Sequence, residues 1–490
     1  MSNEASGRQE APDHQAPRLN PWWLVPLFLG ALAEAMLFSH LIACANPELR
    51  PGILATVGGD TQSYLLPMDH LVDEGQYYTL NMQGEKTLAG RMPYYAVPYL
   101  LLRLAGLPAA DIMAVLQAAL FALALWALAD LLVRETRSRW CGYLFMLAGG
   151  LSGHFTSYLP AILPDAIGAS LAALAMHRFW LTEKRDRASD RWLLGGILAA
   201  LILVKPYFAP LIALIPLRWL YKSRNLRQTA ARSVILATPL LIMLAPWWIR
   251  NALVMGRFFP FQQDMYAGYG YSSTELRSRS FAQAAGEDGV VWWDPYSMAS
   301  CMRLDPQPPS RYTWPEYFKD GTVAGFNQVV AAYKTFQAAP TPEHAATAEA
   351  LMDSVQNAYI QQYPLHYYVT NHFNALPRLL FHSGSANLPV HASNPCYGSW
   401  QFLLKLAASL AYWASLAGLL LGIAWAFADR AANLWLWLVV PLYLALFFSL
   451  VVVAPEWRYF SGAFLIDLWL LFRIAPPALL KVKARLAKRT

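Results

Sequence analysis

Charge is scarce in this chain. Only 14% of its 490 residues are Asp, Glu, Lys or Arg, against about a quarter in a soluble domain. A soluble protein of this length would fold as about two to four domains with polar surfaces, and this chain lacks the charge to cover them. Cysteine is equally sparse. Four residues exclude a disulfide-framed scaffold. With 28 Gly and 33 Pro the composition is neither collagen-like nor disordered. No internal repeat and no low-complexity segment is visible. What is abundant is apolar: 56% of residues are hydrophobic and 19 are Trp. That combination implies an all-α polytopic membrane protein. The net charge of +7 does not point to nucleic acid. The basic residues stand in short clusters between apolar runs, as in the cytosolic loops of membrane proteins.

A span needs about 20 apolar residues. Segments 22–44, 108–132, 140–157, 166–181, 233–250, 406–427, 434–454 and 459–474 qualify. Segment 192–220 is too long for one crossing and is broken by Lys205-Pro206, so it reads as a hairpin of two. Segment 94–107 is short and contains Arg103, so it reads as interfacial. Ten spans result. With the N-terminus inside, one side then collects Arg134, Arg137 and Arg139, the 184–191 cluster, the 222–232 cluster, Arg430 and the basic tail. The opposite short loops carry only Lys205 and Arg458. This asymmetry orients the chain in a cytoplasmic (inner) membrane with both termini cytosolic.

The expected organisation is a cytosolic tail (1–20), a membrane module (21–250) with an outer loop at 45–107, an outer, mainly helical domain (251–400), C-terminal membrane helices (401–476) and a basic cytosolic tail (477–490). Thr341-Pro342-Glu343 reads as N-cap, N1 proline and first-turn acid of an outer-domain helix running to Gln362. Leu41-Ile42-Ala43-Cys44 has the form of a lipoprotein cleavage box, but Glu34 inside the same apolar run argues against that use. Cys301 and Cys396, the only cysteines of the outer domain, are expected to pair there. The outer-domain histidines show no metal-ligand spacing. Trp292 and Trp293 would pack in that domain's core or stack on a sugar.

In this topology the unusual polar residues converge on the outer side. Asp60 follows Gly58-Gly59, and Tyr64 lies one helical turn on. Lys86 and Arg91 follow in the same loop, Asp165 sits in a proline-flanked turn, and Lys205 tips the hairpin. Arg250 closes the seventh span, and Glu456 and Arg458 stand in the last outer loop. Taken singly, Asp60 would be a helix cap and Lys205 or Arg250 interface anchors. Together they form an acid-plus-base set at one membrane face. Carboxylates serve as general bases or metal ligands, and cations hold phosphate.

The chain also resembles a family at several points. Pro246-Trp247-Trp248-Ile249-Arg250-Asn251 resembles the Pro-Trp-x-x-Arg-Asn signature of GT-C membrane glycosyltransferases, the polyprenyl-phosphate-sugar-dependent enzymes that include protein mannosyltransferases and lipid A aminoarabinose transferases. Gly59-Asp60 with Arg91-Met92-Pro93-Tyr94-Tyr95 resembles their acid-then-Arg-x-Pro-x-Tyr pattern. Leu163-Pro164-Asp165, Leu203-Val204-Lys205-Pro206 and Pro455-Glu456-Trp457-Arg458-Tyr459 resemble their second acidic loop, basic hairpin tip and late Glu-x-Arg-Tyr element. The mannosyltransferases' paired Asp-Glu is absent, since Thr61 follows Asp60.

The resemblance implies an inverting transfer of a sugar from a polyprenyl phosphate, undecaprenyl phosphate in a bacterium, to an envelope glycan, a glycolipid such as lipopolysaccharide, or a protein. Asp60 would be the base, chosen partly because it should lack a permanent cation partner that would lower its proton affinity. The phosphate clamp would be drawn from Lys86, Arg91, Lys205, Arg250 and Arg458, with Tyr64, Tyr94 and Glu456 in support. Asp165 would orient the acceptor or share a divalent cation with Asp60. The competing readings are a surface-polysaccharide polymerase or ligase and a multi-span transporter. A transporter would show repeats and mid-membrane charges.

Overall fold

The computed structural model describes residues 17–80, 86–256, 258, 261, 272–284, 325–385, 388–390, 394–428, 434–452 and 457–486. In lipid every backbone N–H must find a partner within its own segment, which leaves helices as the solution for an apolar chain without closed sheets. The chain is accordingly helical. The segments read as spans carry α1 (Leu24–Ala45), α4 (Ala109–Thr136), α5 (Arg139–Gly150), α6 (Pro164–Arg185), α7 (Ala188–Val204), α8 (Ala209–Ser223), α9 (Leu226–Met255), α14 (Gln401–Ala428), α15 (Trp435–Leu446) and α16 (Trp457–Leu486). Between α1 and α4 lie α2 (Gly59–Glu74), a two-residue hairpin of β1 (Thr79–Leu80) and β2 (Lys86–Thr87), and α3 (Val97–Leu104). The region after α9 supplies α10 (Ser273–Ala284), α11 (Phe326–Ala338), α12 (Pro342–Gln362) and α13 (Asn371–Leu380).

Each of the ten segments read as spans contains a helix. Among the described residues five helical stretches, Pro21–Ala45, Ala109–Thr136, Leu226–Met255, Gln401–Ala428 and Arg458–Pro476, are long and apolar enough to cross a membrane. The chain is a multi-pass membrane protein. Segment 140–157 falls short of its reading: α5 ends at Gly150 and the chain runs on irregularly through Gly153, whose φ is +58°. Segment 192–220 divides where expected. Pro206 disfavours helix at the residue before it, and Lys205 leaves the helical conformation at φ −138°, ψ 87°. Segment 94–107 is a 3-10 turn followed by the eight residues of α3. Arg103 there does not face lipid; it pairs with Asp69 at 2.8 Å and Asp73 at 3.1 Å on α2.

The bundle is centred on α16. Trp469 stacks on Trp437 of α15 at 3.8 Å and donates from its indole N–H to the Leu128 carbonyl of α4. Against α14 the packing is backbone to backbone: a Cβ on Gly418 would stand 1.9 Å from the Asp467 carbonyl oxygen. Gly418 and Gly422 form the small-xxx-small spacing that permits such approach in membranes.

Outside the bundle, α12 starts and stops as its sequence signals require, with the Thr341 side chain accepting from the His344 N–H. The cysteine expectation is overturned. Cys396 is bonded to Cys44 at the end of α1, and Cys301 lies outside the described residues. The bridge therefore ties the first helix to the segment entering α14, so Cys44 serves as a crosslink. Trp292 and Trp293 also lie outside the described residues.

Candidate active site

The site begins with a frame built on α4. The Asp111 carboxylate accepts the backbone N–H groups of Ile53, Leu54 and Ala55 at 3.0, 2.9 and 2.8 Å. The buried Gln117 amide donates to the carbonyls of Leu159 and Ala161, both at 2.8 Å, and accepts from the Tyr95 hydroxyl. The two segments so held join each other. Thr56 donates its N–H to Pro160, and Ile162 donates back to Thr56. The junction stands four residues before Asp60 and three before Asp165, so one short bridge sets both carboxylates. Each then lies in the first turn of a helix, α2 and α6 respectively, where an acid meets the favourable end of the helix dipole.

Around them is a cavity of about 310 Å³. Asp60, Tyr64 and Arg91 line it from the first loop, Asp165 from the start of α6, Lys205 and Tyr207 from the α7–α8 break, and Arg458 and Tyr459 from the start of α16. Phe447, Phe448 and Val452 close an apolar side, the two Phe on the π-helical turn Phe447–Val451 that follows α15 and Val452 at its C-cap. Phe448 stacks on Tyr459 at 4.6 Å and meets Tyr207 edge-on at 4.9 Å.

The charges are paired. Arg458 donates from Nη1 to Asp60 Oδ2 at 2.7 Å, and from Nη2 to the Tyr459 hydroxyl at 3.2 Å. Lys205 Nζ donates to Asp165 Oδ1 at 2.9 Å. Arg91 donates to Ser63 Oγ at 3.2 Å and stands 4.7 Å over the Tyr64 ring. Burial by itself would raise the Asp60 pKa. Arg458, through charge and hydrogen bond, together with the more remote Arg91 and Lys205, outweighs it and holds the carboxyl below its ordinary value. The expectation that Asp60 has no cation partner is therefore corrected: its partner comes from the far end of the chain, 398 residues away, where no local spacing could announce it. The two carboxylates differ in access. The Asp60 side chain is 35% exposed and that of Asp165 only 4%.

Three residues expected at the site stand elsewhere. Lys86 lies 3.5 Å from Glu74 and 4.0 Å over the Tyr78 ring, on the exposed hairpin. Arg250 donates to the carbonyls of Leu88 and Tyr77 and to Asn251, stapling the first loop to α9. Tyr94 donates to the Met243 carbonyl of α9. Tyr94 and Arg250 line a separate cavity with Tyr77 and Trp247. Long cationic side chains reach backbone carbonyls as readily as phosphate, so their presence in a loop did not place them. Glu456 lies outside the described residues. Conversely, sequence reasoning passed over Tyr207, Phe447 and Phe448, which read as ordinary aromatics of apolar segments. It also passed over Asp111 and Gln117, whose position in an apolar run was the available signal.

A divalent cation shared by Asp60 and Asp165 does not fit this arrangement. Both carboxylates already carry a cation at hydrogen-bond distance, and among the described residues the lining holds three cationic side chains against two anionic ones.

No family model matches the chain, and no curated protein matches its sequence. Among solved structures it is similar to the archaeal oligosaccharyltransferase AglB from Archaeoglobus fulgidus, in complex with an inhibitory peptide and a dolichol-phosphate, with TM-score 0.46 and 12% identity over 96% of this chain. It is similar also to the apo form of the Archaeoglobus fulgidus oligosaccharyltransferase, with TM-score 0.41 and 12% identity. The chain spans about half, 52%, of the length of those proteins.

Proposed function

We propose that this membrane protein is an inverting glycosyltransferase that moves a sugar from a polyprenyl-phosphate donor to a hydroxyl of an envelope glycan, glycolipid or protein, at the outer face of a cytoplasmic membrane. One observation carries the reading. Among the described residues a single cavity gathers two carboxylates and three cations from four separate segments of the chain: Asp60, Asp165 and Arg458 in the first turns of their helices, Lys205 at the C-terminal end of α7, and Arg91 in the first loop. On the ten-span reading these residues lie outside. A cysteine placed at 136 or 226 should then be shielded from an impermeant thiol reagent in intact cells, and labelling at 226 would sink the hairpin and the outer placement of Lys205.

The chemistry follows from the groups present. The donor phosphodiester lies against Arg91, Lys205 and Arg458, which draw off charge as it becomes a leaving group. The acceptor oxygen attacks the anomeric carbon. Its O–H bond breaks with the proton going to the Asp60 carboxylate, and the bond from the anomeric carbon to the phosphate oxygen breaks with its electron pair going to phosphate. In an oxocarbenium-like transition state the attacking hydroxyl becomes strongly acidic only as its C–O bond forms, so a carboxylate of low proton affinity is sufficient. Asp60 is preferred to Asp165 because its side chain is the more exposed of the two, 35% against 4%. The aromatic wall of Tyr207, Phe448 and Tyr459 suits an apolar sugar face.

Mass spectrometry of lipid-linked and envelope glycans from a deletion strain tests the function. The expected result is one glycan lacking a sugar while the corresponding lipid-linked sugar accumulates. Unchanged glycans and unchanged lipid-linked pools would overturn the reading.

A further inference from the structure

We propose that Lys205 is a built-in cation standing in the place of a divalent metal ion, so that transfer at this site is metal-independent, and that Gly168 is the positioning residue that seats it. The proposal rests on the glycosyl-transfer reading for its activity arm alone.

Lys205 is not a snorkelling interface lysine, which would keep its ammonium in water. It is 7% exposed. Its backbone is set by Pro206 on one side and by its own N–H bond to Leu201 at 2.8 Å on the other. The stem lies across α6 at Gly168, one turn after Asp165. A Cβ there would stand 3.0 Å from Lys205 Cγ, so the stem would have to give by a few tenths of an ångström, and in ordinary contact, 3.9 Å, with its Cβ and Cε. The ammonium ends 2.9 Å from Asp165 Oδ1, with the Tyr207 and Tyr459 rings 5.7 and 5.9 Å away. An ammonium has three donors. Among the described residues Asp165 alone takes one, which leaves two for phosphate oxygens.

Charge balance supports the same conclusion. Among the described residues, Lys205, Arg91 and Arg458 against Asp60 and Asp165 leave the lining one positive charge in excess. A donor phosphodiester brings one negative charge and makes the loaded cavity neutral. After transfer the lipid phosphate is a monoester carrying close to two negative charges near neutral pH, and Asp60 has gained the acceptor's proton. The cavity is neutral again. A divalent ion would add two positive charges at both stages, in a space where uncompensated charge is costly.

The test uses the full-length protein in lipid nanodiscs. Mn²⁺ binding is followed by electron paramagnetic resonance in wild type, Asp60→Asn and Asp165→Asn. Sugar transfer from a polyprenyl-phosphate sugar is measured with and without EDTA. The expected results are Mn²⁺ isotherms identical in all three proteins and transfer unchanged within twofold by chelation. Lys205→Gln should lower transfer about 10²-fold or more, the scale of losing one charge-stabilising donor. Gly168→Ala should lower it in the wild-type background, yet cost nothing further in the Lys205→Gln background, a non-additivity that a general packing defect would not produce. Mn²⁺ binding lost in both Asn variants would overturn the proposal whether or not any transfer is seen. So would chelation that abolishes transfer with recovery on adding a divalent ion, or near-normal transfer by Lys205→Gln. Absent transfer under every condition, with identical Mn²⁺ isotherms, would sink the transferase reading while upholding the metal-free site.

Discussion

The guanidinium of Arg458 meets the carboxylate of Asp60 at 2.7 Å, joining the first helical turn after the Gly58-Gly59 pair to the first turn of the last helix. This contact closes the cavity across the two ends of the chain. It also means that the proposed base and a proposed phosphate ligand hold each other until the donor arrives.

Replacing the base tests its role most directly. Asp60→Asn keeps shape and removes the proton acceptor, and transfer should fall about 10²–10⁴-fold with membrane expression and donor-lipid binding retained. Near-normal transfer by Asp60→Asn together with loss in Asp165→Asn would move the base to Asp165.

The pairing has a pH signature. The folded carboxyl of Asp60 is held below its ordinary value, so the ion pair's contribution to stability is complete above the unfolded carboxylate pKa of about 3.9. It is lost as pH falls through the lowered folded value. Thermal unfolding midpoints of wild type and Asp60→Asn should therefore differ by a constant amount from about pH 5 to 8 and converge in more acid solution. A difference that grew on acidification would contradict the pairing.

Asp111 is predicted to matter without touching the cavity. Asp111→Ala strands three backbone N–H groups of the loop that leads to Asp60, at a cost of about 1–3 kcal/mol. Transfer should drop by tenfold or more, since the loop sets the carboxylate. Hydrogen exchange at residues 53–57 should rise selectively, and unchanged protection there would rule the anchor out.

Helix packing gives a purely structural prediction. Gly418→Leu puts a branched side chain where a single Cβ would already overlap the Asp467 carbonyl. The detergent-solubilised variant should lose several degrees of thermal stability or fail to accumulate, whereas Gly196→Ala, where a Cβ meets nothing within 4 Å, should be tolerated.

The disulfide is checked by gel mobility. Cys44→Ser and Cys396→Ser should each abolish the shift between oxidised and reduced protein, and Cys301→Ser should leave it intact. A shift that survived Cys44→Ser would disprove the bridge to the first helix.

Much of this molecule was legible in its residues. Apolar runs of span length required helices, because lipid offers the backbone no other partner. Lys205-Pro206 announced the α7–α8 break, since proline restricts the residue before it, and Thr341-Pro342-Glu343 marked the start of α12. The meeting of Asp60, Asp165, Arg91, Lys205 and Arg458 was foreshadowed by their common side. These are local or one-dimensional properties, set by propensity, hydropathy and charge asymmetry. Direction and partner were not of that kind. Whether Arg250 turns toward a phosphate site or toward the Leu88 and Tyr77 carbonyls, whether Cys396 meets Cys301 or Cys44, and whether Asp60 stands alone or against Arg458 depend on distances between segments remote in sequence. Hydropathy and spacing place such segments on a side of the membrane, but only helix packing, down to the approach of Gly418 and Gly168 to their neighbours, decides which of them touch.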